Sequence, residues 1–202
     1  MRAFWGWSAS VALALAHAVA PAPLAAQGAD LPPPGLGTLR QDQVAVRLGT
    51  ASLAIRELPL DERVIRLLAP DTYSSLAELK RSRAAEIAAA ARRAGLDSAT
   101  VFVVTFFGMA PNARFDPDQL YLSSQNAFFR PIGVVPLTPQ WGETQLDQRQ
   151  QAVAIYLFQP EISVLQPFTV FYDNLPSTAW ESTLRVLENE RARVLARAAS
   201  RP

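Results

Sequence analysis

The sequence predicts an α+β fold, an antiparallel β-sheet or sandwich flanked by two helices. Apolar residues alternate with period two over residues 44–58, residues 101–107 are β-branched and aromatic on both faces, and eight prolines fall between Pro111 and Pro176. Helical periodicity is nearly absent between Phe107 and those last prolines, which argues against a doubly wound parallel sheet with its crossover helices. An immunoglobulin-like sandwich is the specific arrangement considered.

Residues 1–26 have the order of a secretory signal peptide. Arg2 supplies positive charge, residues 4–20 carry none and are rich in alanine, valine and leucine, and small residues precede a polar start. Cleavage after Ala26 is expected, because proline at position 21 disfavours a cut after Ala20. The alternative is a retained anchor, since about 17 apolar residues lie at the lower limit for spanning hydrocarbon.

The remaining chain is expected to hold a linker and one domain. Residues 27–42 contain three consecutive prolines and three glycines, a composition typical of an extended polyproline linker. Residues 43–202 follow as a single α+β domain, which opens with a β-hairpin turning at Gly49 and Thr50. Residues 64–68 are a further short strand in this interpretation.

Two helices are predicted from capping signals. Ser75 and Glu78 form a Ser-x-x-Glu capping box, and Gly95 supplies a left-handed stop, so the first helix runs between them with an alanine-rich apolar stripe. The second helix opens at Thr178 with Glu181 three residues later. Its apolar face is expected to contain Trp180, Leu184, Leu187, Val194 and Leu195.

The strands are expected to number about six to eight. Residues 101–107 read as a central strand, because a strand that is apolar on both faces must be covered on both sides. Shorter strands are predicted at residues 120–122, 128–137, 152–158 and 168–172.

Composition excludes many functions. The 19 basic and 18 acidic residues nearly cancel, and loss of Arg2 with the signal leaves 18 of each. The chain therefore has no excess positive charge to attract nucleic acid. Cysteine is absent, the single histidine is His17 within the signal, and Lys80 is the single lysine. Arginine in place of lysine is typical of GC-rich bacterial genomes.

These absences predict that the protein is not an enzyme, with a carboxylate-based hydrolase as the residual catalytic class. We assign no catalytic, cofactor-binding or metal-binding residue. Asp116 and Asp118 flank a proline and favour a turn over a calcium site, because further oxygen ligands in register are missing. We identify no known family, since no motif is specific enough.

The aromatic residues suggest a binding surface. In the pairs Phe106–Phe107 and Phe128–Phe129, neighbouring rings point to opposite faces of a strand, so one ring of each pair needs a cover. We predict the partner surface at Phe129, Arg130 and Trp141, because arginine and tryptophan near prolines suit protein interfaces.

The leading hypothesis is an exported, periplasmic or extracellular protein that acts by binding, as an accessory or scaffold component contacting another envelope protein. One alternative is a carrier of a small apolar ligand in a sheet-lined cavity. A second alternative is a subunit of a membrane complex, held by an uncleaved N-terminal segment; only this alternative brings the protein to a membrane.

Overall fold

A computed structural model describes residues 31–200, which belong to one compact unit of mixed α/β structure with antiparallel sheets and five helices. The expected signal peptide, residues 1–26, lies outside the described residues. The elements are α1 (Gln41–Val44), β1 (Val46–Gly49), β2 (Leu53–Pro59), α2 (Glu62–Ile65), α3 (Pro70–Ser82), α4 (Ala84–Arg93), β3 (Thr100–Gly108), β4 (Ala113–Arg114), β5 (Leu120–Ser124), β6 (Ala127–Phe129), β7 (Gly133–Pro136), β8 (Gln145–Leu146), β9 (Gln151–Phe158), β10 (Thr169–Tyr172), β11 (Leu175–Ser177) and α5 (Ala179–Ala199). Among these helices none is long and apolar enough to cross a membrane.

The larger sheet has five strands in the order β1-β2-β3-β9-β7, each antiparallel to its neighbours. The predicted hairpin is confirmed as β1 and β2, and the predicted central strand is confirmed as β3. Phe102, Val104 and Phe106 lie on one face of β3, which we call the inner face, and Val101, Val103 and Thr105 lie on the outer face; all six are buried. Strand β3 is therefore covered on both sides along most of its length.

The smaller sheet has four strands in the order β11-β10-β5-β6, built from two tight hairpins. Gln125 and Asn126 join β5 to β6, and Asp173 and Asn174 join β10 to β11; all four have positive φ. Two central residues with positive φ define the type I′ turn, whose twist matches that of the flanking strands. The short pair β4–β8 forms a third sheet.

Aromatic rings join the two larger sheets. Phe102 of β3 lies edge-on to Phe168 with ring centroids 5.8 Å apart, and Phe106 lies 5.5 Å from Tyr172 of β10. We call these four residues the aromatic seam. Trp180 of α5 stacks on Phe168 at 4.9 Å, and its indole N–H donates to the carbonyl of Val164. The inner face of the larger sheet therefore packs on the smaller sheet.

Two local predictions are wrong. Helix α3 begins at Pro70 rather than Ser75, because proline suits the first turn and Ser75 instead donates back to the carbonyl of Asp71. Residues 64–68 are not a strand, since Asp61 caps the short helix α2 and accepts from the amide of Arg63. The predicted stop at Gly95 is confirmed by its φ of +75°.

The single helix predicted between Ser75 and Gly95 is wrong, because the chain leaves helical geometry at Arg83 and forms two helices, α3 and α4. The alanine stripe, which belongs to α4, lies against the larger sheet as expected. Helix α4 contacts β7 and β9, and a Cβ placed on Gly133 of β7 would lie 3.1 Å from the Cβ of Ala90. Small side chains on both partners therefore let the helix approach the outer face closely. This helix covers only the part of that face near β7.

Two further expectations differ in detail. Residues 128–137 form two strands in different sheets, β6 and β7, because Pro131 interrupts the run. In α5, Trp180, Leu187 and Val194 are buried as expected, whereas Leu195 is 47% exposed, one position off the buried stripe.

The segment expected to be a linker is partly built into the domain. Leu36 and Leu39 are buried, and Leu39 exchanges backbone hydrogen bonds with Leu67 and Ala69. Proline and glycine composition indicated an extended chain, but it did not show that two leucines at this spacing dock on the core.

Glu190 of α5 holds this segment in place. Its buried Oε1 accepts from the amide and the hydroxyl of Thr38, both at 2.9 Å, and from Arg197 at 3.0 Å. Arg197 also donates to the carbonyl of Leu36. Burial raises the pKa of Glu190, but the hydrogen bonds from Arg197 and Thr38 outweigh it and lower the pKa overall.

We predict that Glu190→Gln lowers the free energy of unfolding at pH 7 by about 2 kcal/mol, because the oxygen that accepts three hydrogen bonds loses its negative charge. A lowered pKa means that the stabilisation exists above the ordinary value of 4.5 and disappears as pH falls further. Urea denaturation at several pH values measures this. Glu188→Gln, an exposed position on the same helix, is the control; equal losses in the two variants would contradict the prediction.

Candidate functional site

The outer side of the four-stranded sheet carries three neighbouring aromatic rings. Tyr121 of β5 and Phe171 of β10 are paired across the strands and stack at 4.8 Å with planes only 3° apart. Phe128 of β6 lies edge-on to both rings, 5.9 Å from Tyr121 and 6.1 Å from Phe171. With Arg130 these residues form what we call the aromatic face.

This face is open to solvent. Phe128 is 71% exposed, and Tyr121 and Phe171 are half-buried. Phe128 has the greatest exposed fraction among the large apolar side chains of residues 31–200. The ring of Phe128 leaves most of its apolar area in water, and exposed rings grouped on one surface favour a contact with another molecule.

Arg130 adds a positive charge to the face. Its guanidinium carbon lies 5.8 Å from the centroid of Tyr121, within range of a cation–π interaction, and its Nη1 donates to the carbonyl of Asp118. The guanidinium is exposed, so it retains donors for a ligand. The aromatic face is therefore a flat apolar surface with one oriented cation at its border.

Strand alternation explains the face. Leu120, Leu122 and Ser124 of β5 are buried, which places Tyr121 and Ser123 on the other side. The same parity in β10 buries Val170 and Tyr172 and turns Phe171 outward. Through the β5–β6 hairpin, Phe128 pairs with Ser123 and shares its outward side.

The three residues predicted for a partner surface lie in different environments. Phe129 is half-buried and packs against the core, while its neighbour Phe128 points outward. Arg130 is exposed beside Tyr121. Trp141 is half-buried against the core, with its ring 5.8 Å from Phe106.

Sequence reasoning therefore missed Tyr121, Phe128 and Phe171 as one surface. It placed neighbouring rings on opposite faces correctly, as Phe128 and Phe129 show. It could not decide which ring faces the core, because that choice depends on the hairpin register. The alternation of leucines around Tyr121 was the available signal.

A second unusual feature is Glu57 of β2. It is 0% exposed and lies on the inner face, opposite Val46 of β1 and Val104 of β3. Neither carboxyl oxygen has a hydrogen-bond partner within the described chain. Burial raises the pKa of Glu57 to about 8, so the neutral acid predominates at pH 7. Since the group is closed off from solvent, it is not placed to act on a substrate in this conformation.

The other acidic candidates have structural roles. Asp116 accepts from the amide of Asp118 and from the side chain of Gln119, which confirms a turn at this position. Within residues 31–200, no group of three or more histidine, cysteine, aspartate or glutamate side chains is arranged to hold a metal ion.

Comparison of the chain with protein-family models, with curated proteins and with solved structures finds no match.

We predict that the free energy of unfolding falls as pH rises from about 5 to about 8, by up to ~1.4 kcal/mol per pH unit. A raised pKa in the folded state means that the contribution of Glu57 is complete below its ordinary value of 4.5 and is lost as pH rises through about 8.

Glu57→Leu removes the proton equilibrium and the buried polar atoms, so its stability should be higher at pH 8 and nearly independent of pH over this range. Urea titrations at pH 5, 6, 7 and 8 measure both effects, with Glu188→Leu as the exposed control. A slope that persists in Glu57→Leu would contradict the assignment.

Proposed function

We propose that this chain is an exported, non-enzymatic binding protein, an accessory or scaffold component that contacts another envelope protein through its aromatic face. The observation that carries the proposal is the exposed Phe128 ring standing beside the stacked pair of Tyr121 and Phe171. Export rests on the signal-like composition of residues 1–26.

The composition of the face supports a protein partner. Aromatic residues and arginine are enriched at the energetic centres of protein interfaces, because a ring buries a large apolar area with few rotatable bonds. Covering an exposed phenylalanine contributes roughly 1.5–3 kcal/mol. Arg130 can hydrogen-bond a carbonyl or carboxylate of the partner and thereby fix its orientation.

Charge favours a protein partner over a polyanion. The chain has 19 basic and 18 acidic residues, and a single arginine borders the three rings. Nucleic acids are held by several phosphate contacts, which require a cluster of cations. The face offers apolar contact with one charge-assisted hydrogen bond instead.

We also propose a finer description of the fold, a β-sandwich with immunoglobulin-like packing. Support comes from the ring contacts of the aromatic seam, which join two antiparallel sheets through their apolar faces. Sheets packed in this way turn their remaining faces outward, and one of these is the aromatic face.

The test is site-specific photocrosslinking in the native envelope. A photoreactive phenylalanine analogue replaces Phe128 in one sample and Leu195 in a second, because Leu195 is also exposed but lies on α5. We expect one defined adduct from position 128 and none from position 195. The crosslinked protein is then purified, and its affinity for the free chain is measured by calorimetry.

Phe128→Ala should weaken that affinity by at least about tenfold, as expected for a central aromatic contact, whereas Leu195→Ala should leave it unchanged. An adduct with a second copy of the chain, or equal labelling from both positions, would overturn the proposal.

A further inference from the structure

The outer face of the five-stranded sheet contains a groove distinct from the aromatic face. It has a volume of about 440 Å³ and is lined mainly by Arg47, Ala54, Arg56, Thr105, Phe107 and Gln151. We call it the arginine groove. Its volume is within the usual range for small-molecule sites.

Strand register builds the groove in two rows. Arg47 lies opposite Arg56, which lies opposite Thr105, and in the next row Ala54 lies opposite Phe107. Ala54 and Thr105 are small, so the floor is low between the larger flanking side chains. Helix α4 contacts the sheet at β7 and β9, leaving this end of the outer face open.

The two arginines are like charges on directly opposed positions of neighbouring strands, which is an unfavourable arrangement for a sheet. The carboxylate of Asp42 lies 3.9 Å from Arg47, but it also binds Arg40 at 3.1 Å. Glu57 points to the opposite face of the sheet and is held neutral by burial. Little negative charge therefore lies near Arg47 and Arg56 to balance their two positive charges.

Arg56 is the central group. It is half-buried, and within residues 31–200 its guanidinium forms no hydrogen bond or ion pair. Acidic side chains are missing from the groove lining in the described chain. A partly desolvated cation without a counter-ion binds an anion more strongly than an exposed one, since water screens it less.

We propose that the arginine groove binds a small organic anion that has one acidic group on a flat apolar body. Arg47 and Arg56 hold the acidic group, and the half-buried ring of Phe107 packs against the apolar body. Thr105 in the floor and Gln151 at the side offer further polar contacts. The arginine groove lies on the five-stranded sheet and the aromatic face on the four-stranded sheet. Failure of one proposal therefore does not affect the other.

The probe is 2-naphthoate, with uncharged 2-naphthalenemethanol and inorganic phosphate as comparison ligands. Binding to the chain is measured by calorimetry at low salt and by backbone amide shifts in NMR spectra. We expect saturable binding of 2-naphthoate, with shifts concentrated at residues 47–56, 105–107 and 151. Each comparison ligand should bind at least about tenfold more weakly, because each provides only one of the two contacts.

Arg56→Gln should weaken 2-naphthoate binding by at least about tenfold, since it removes the charge while keeping a polar, although shorter, side chain. Arg93→Gln makes the same change in net charge at an exposed position on α4 and should have no effect. Ala54→Leu fills the floor and should weaken the binding of every ligand with a ring system.

The melting temperature measured without ligand shows whether Arg56→Gln still folds normally. Relief of the repulsion with Arg47 should leave the melting temperature of Arg56→Gln equal to or above that of the natural chain at low salt. The proposal is overturned if 2-naphthoate does not bind saturably, if naphthalenemethanol or phosphate binds equally well, or if Arg56→Gln and Arg93→Gln behave alike.

Discussion

Packing of aromatic rings between the two larger sheets is the interaction on which the rest of the structure depends. Phe102 and Phe106 of β3 meet Phe168, which directly precedes β10, and Tyr172 of β10, and Trp180 extends the contact to α5. Each ring buries a large apolar area and restricts its neighbours to a few geometries. The aromatic seam therefore fixes the side on which each strand presents its residues. It also explains why a chain without disulfides can hold short strands together.

Both candidate binding surfaces lie on the faces of the two larger sheets that point away from the aromatic seam. One face of the smaller sheet packs in the aromatic seam. Strand alternation therefore turns Tyr121 and Phe171 to its other face, and the β5–β6 hairpin places Phe128 beside them. On the larger sheet α4 packs near Ala90 and Gly133, and the opposite end of the outer face stays open as the arginine groove. The protein therefore has one exposed aromatic surface, where we propose a protein contact, and one cationic groove, where we propose that a small anion binds.

Much of the fold could be predicted because strand periodicity is a local property. The hairpin β1–β2, the central strand β3 and the positions of β5, β9 and β10 follow from alternation and β-branched runs. Helix starts were less predictable, since Ser75 and Glu78 match a capping box that the proline at position 70 makes unnecessary. The sites depend on register between strands, which single residues do not reveal: the pairing of Arg47 with Arg56 and the grouping of Tyr121 with Phe128 arise only across strands. Glu57 was readable in part, because it shares parity with Leu53 and Ile55 on a buried face.

Native-state hydrogen exchange tests most directly whether the seam makes the two sheets one cooperative unit that presents a rigid aromatic face. Opening free energies are measured for the amides of β3 and β10 in the natural chain and in Phe106→Leu. The account predicts the same free energy for both strands and the same decrease in both when the ring at position 106 is removed. A decrease confined to β3, or β10 amides that open at a much lower free energy than those of β3, would contradict it.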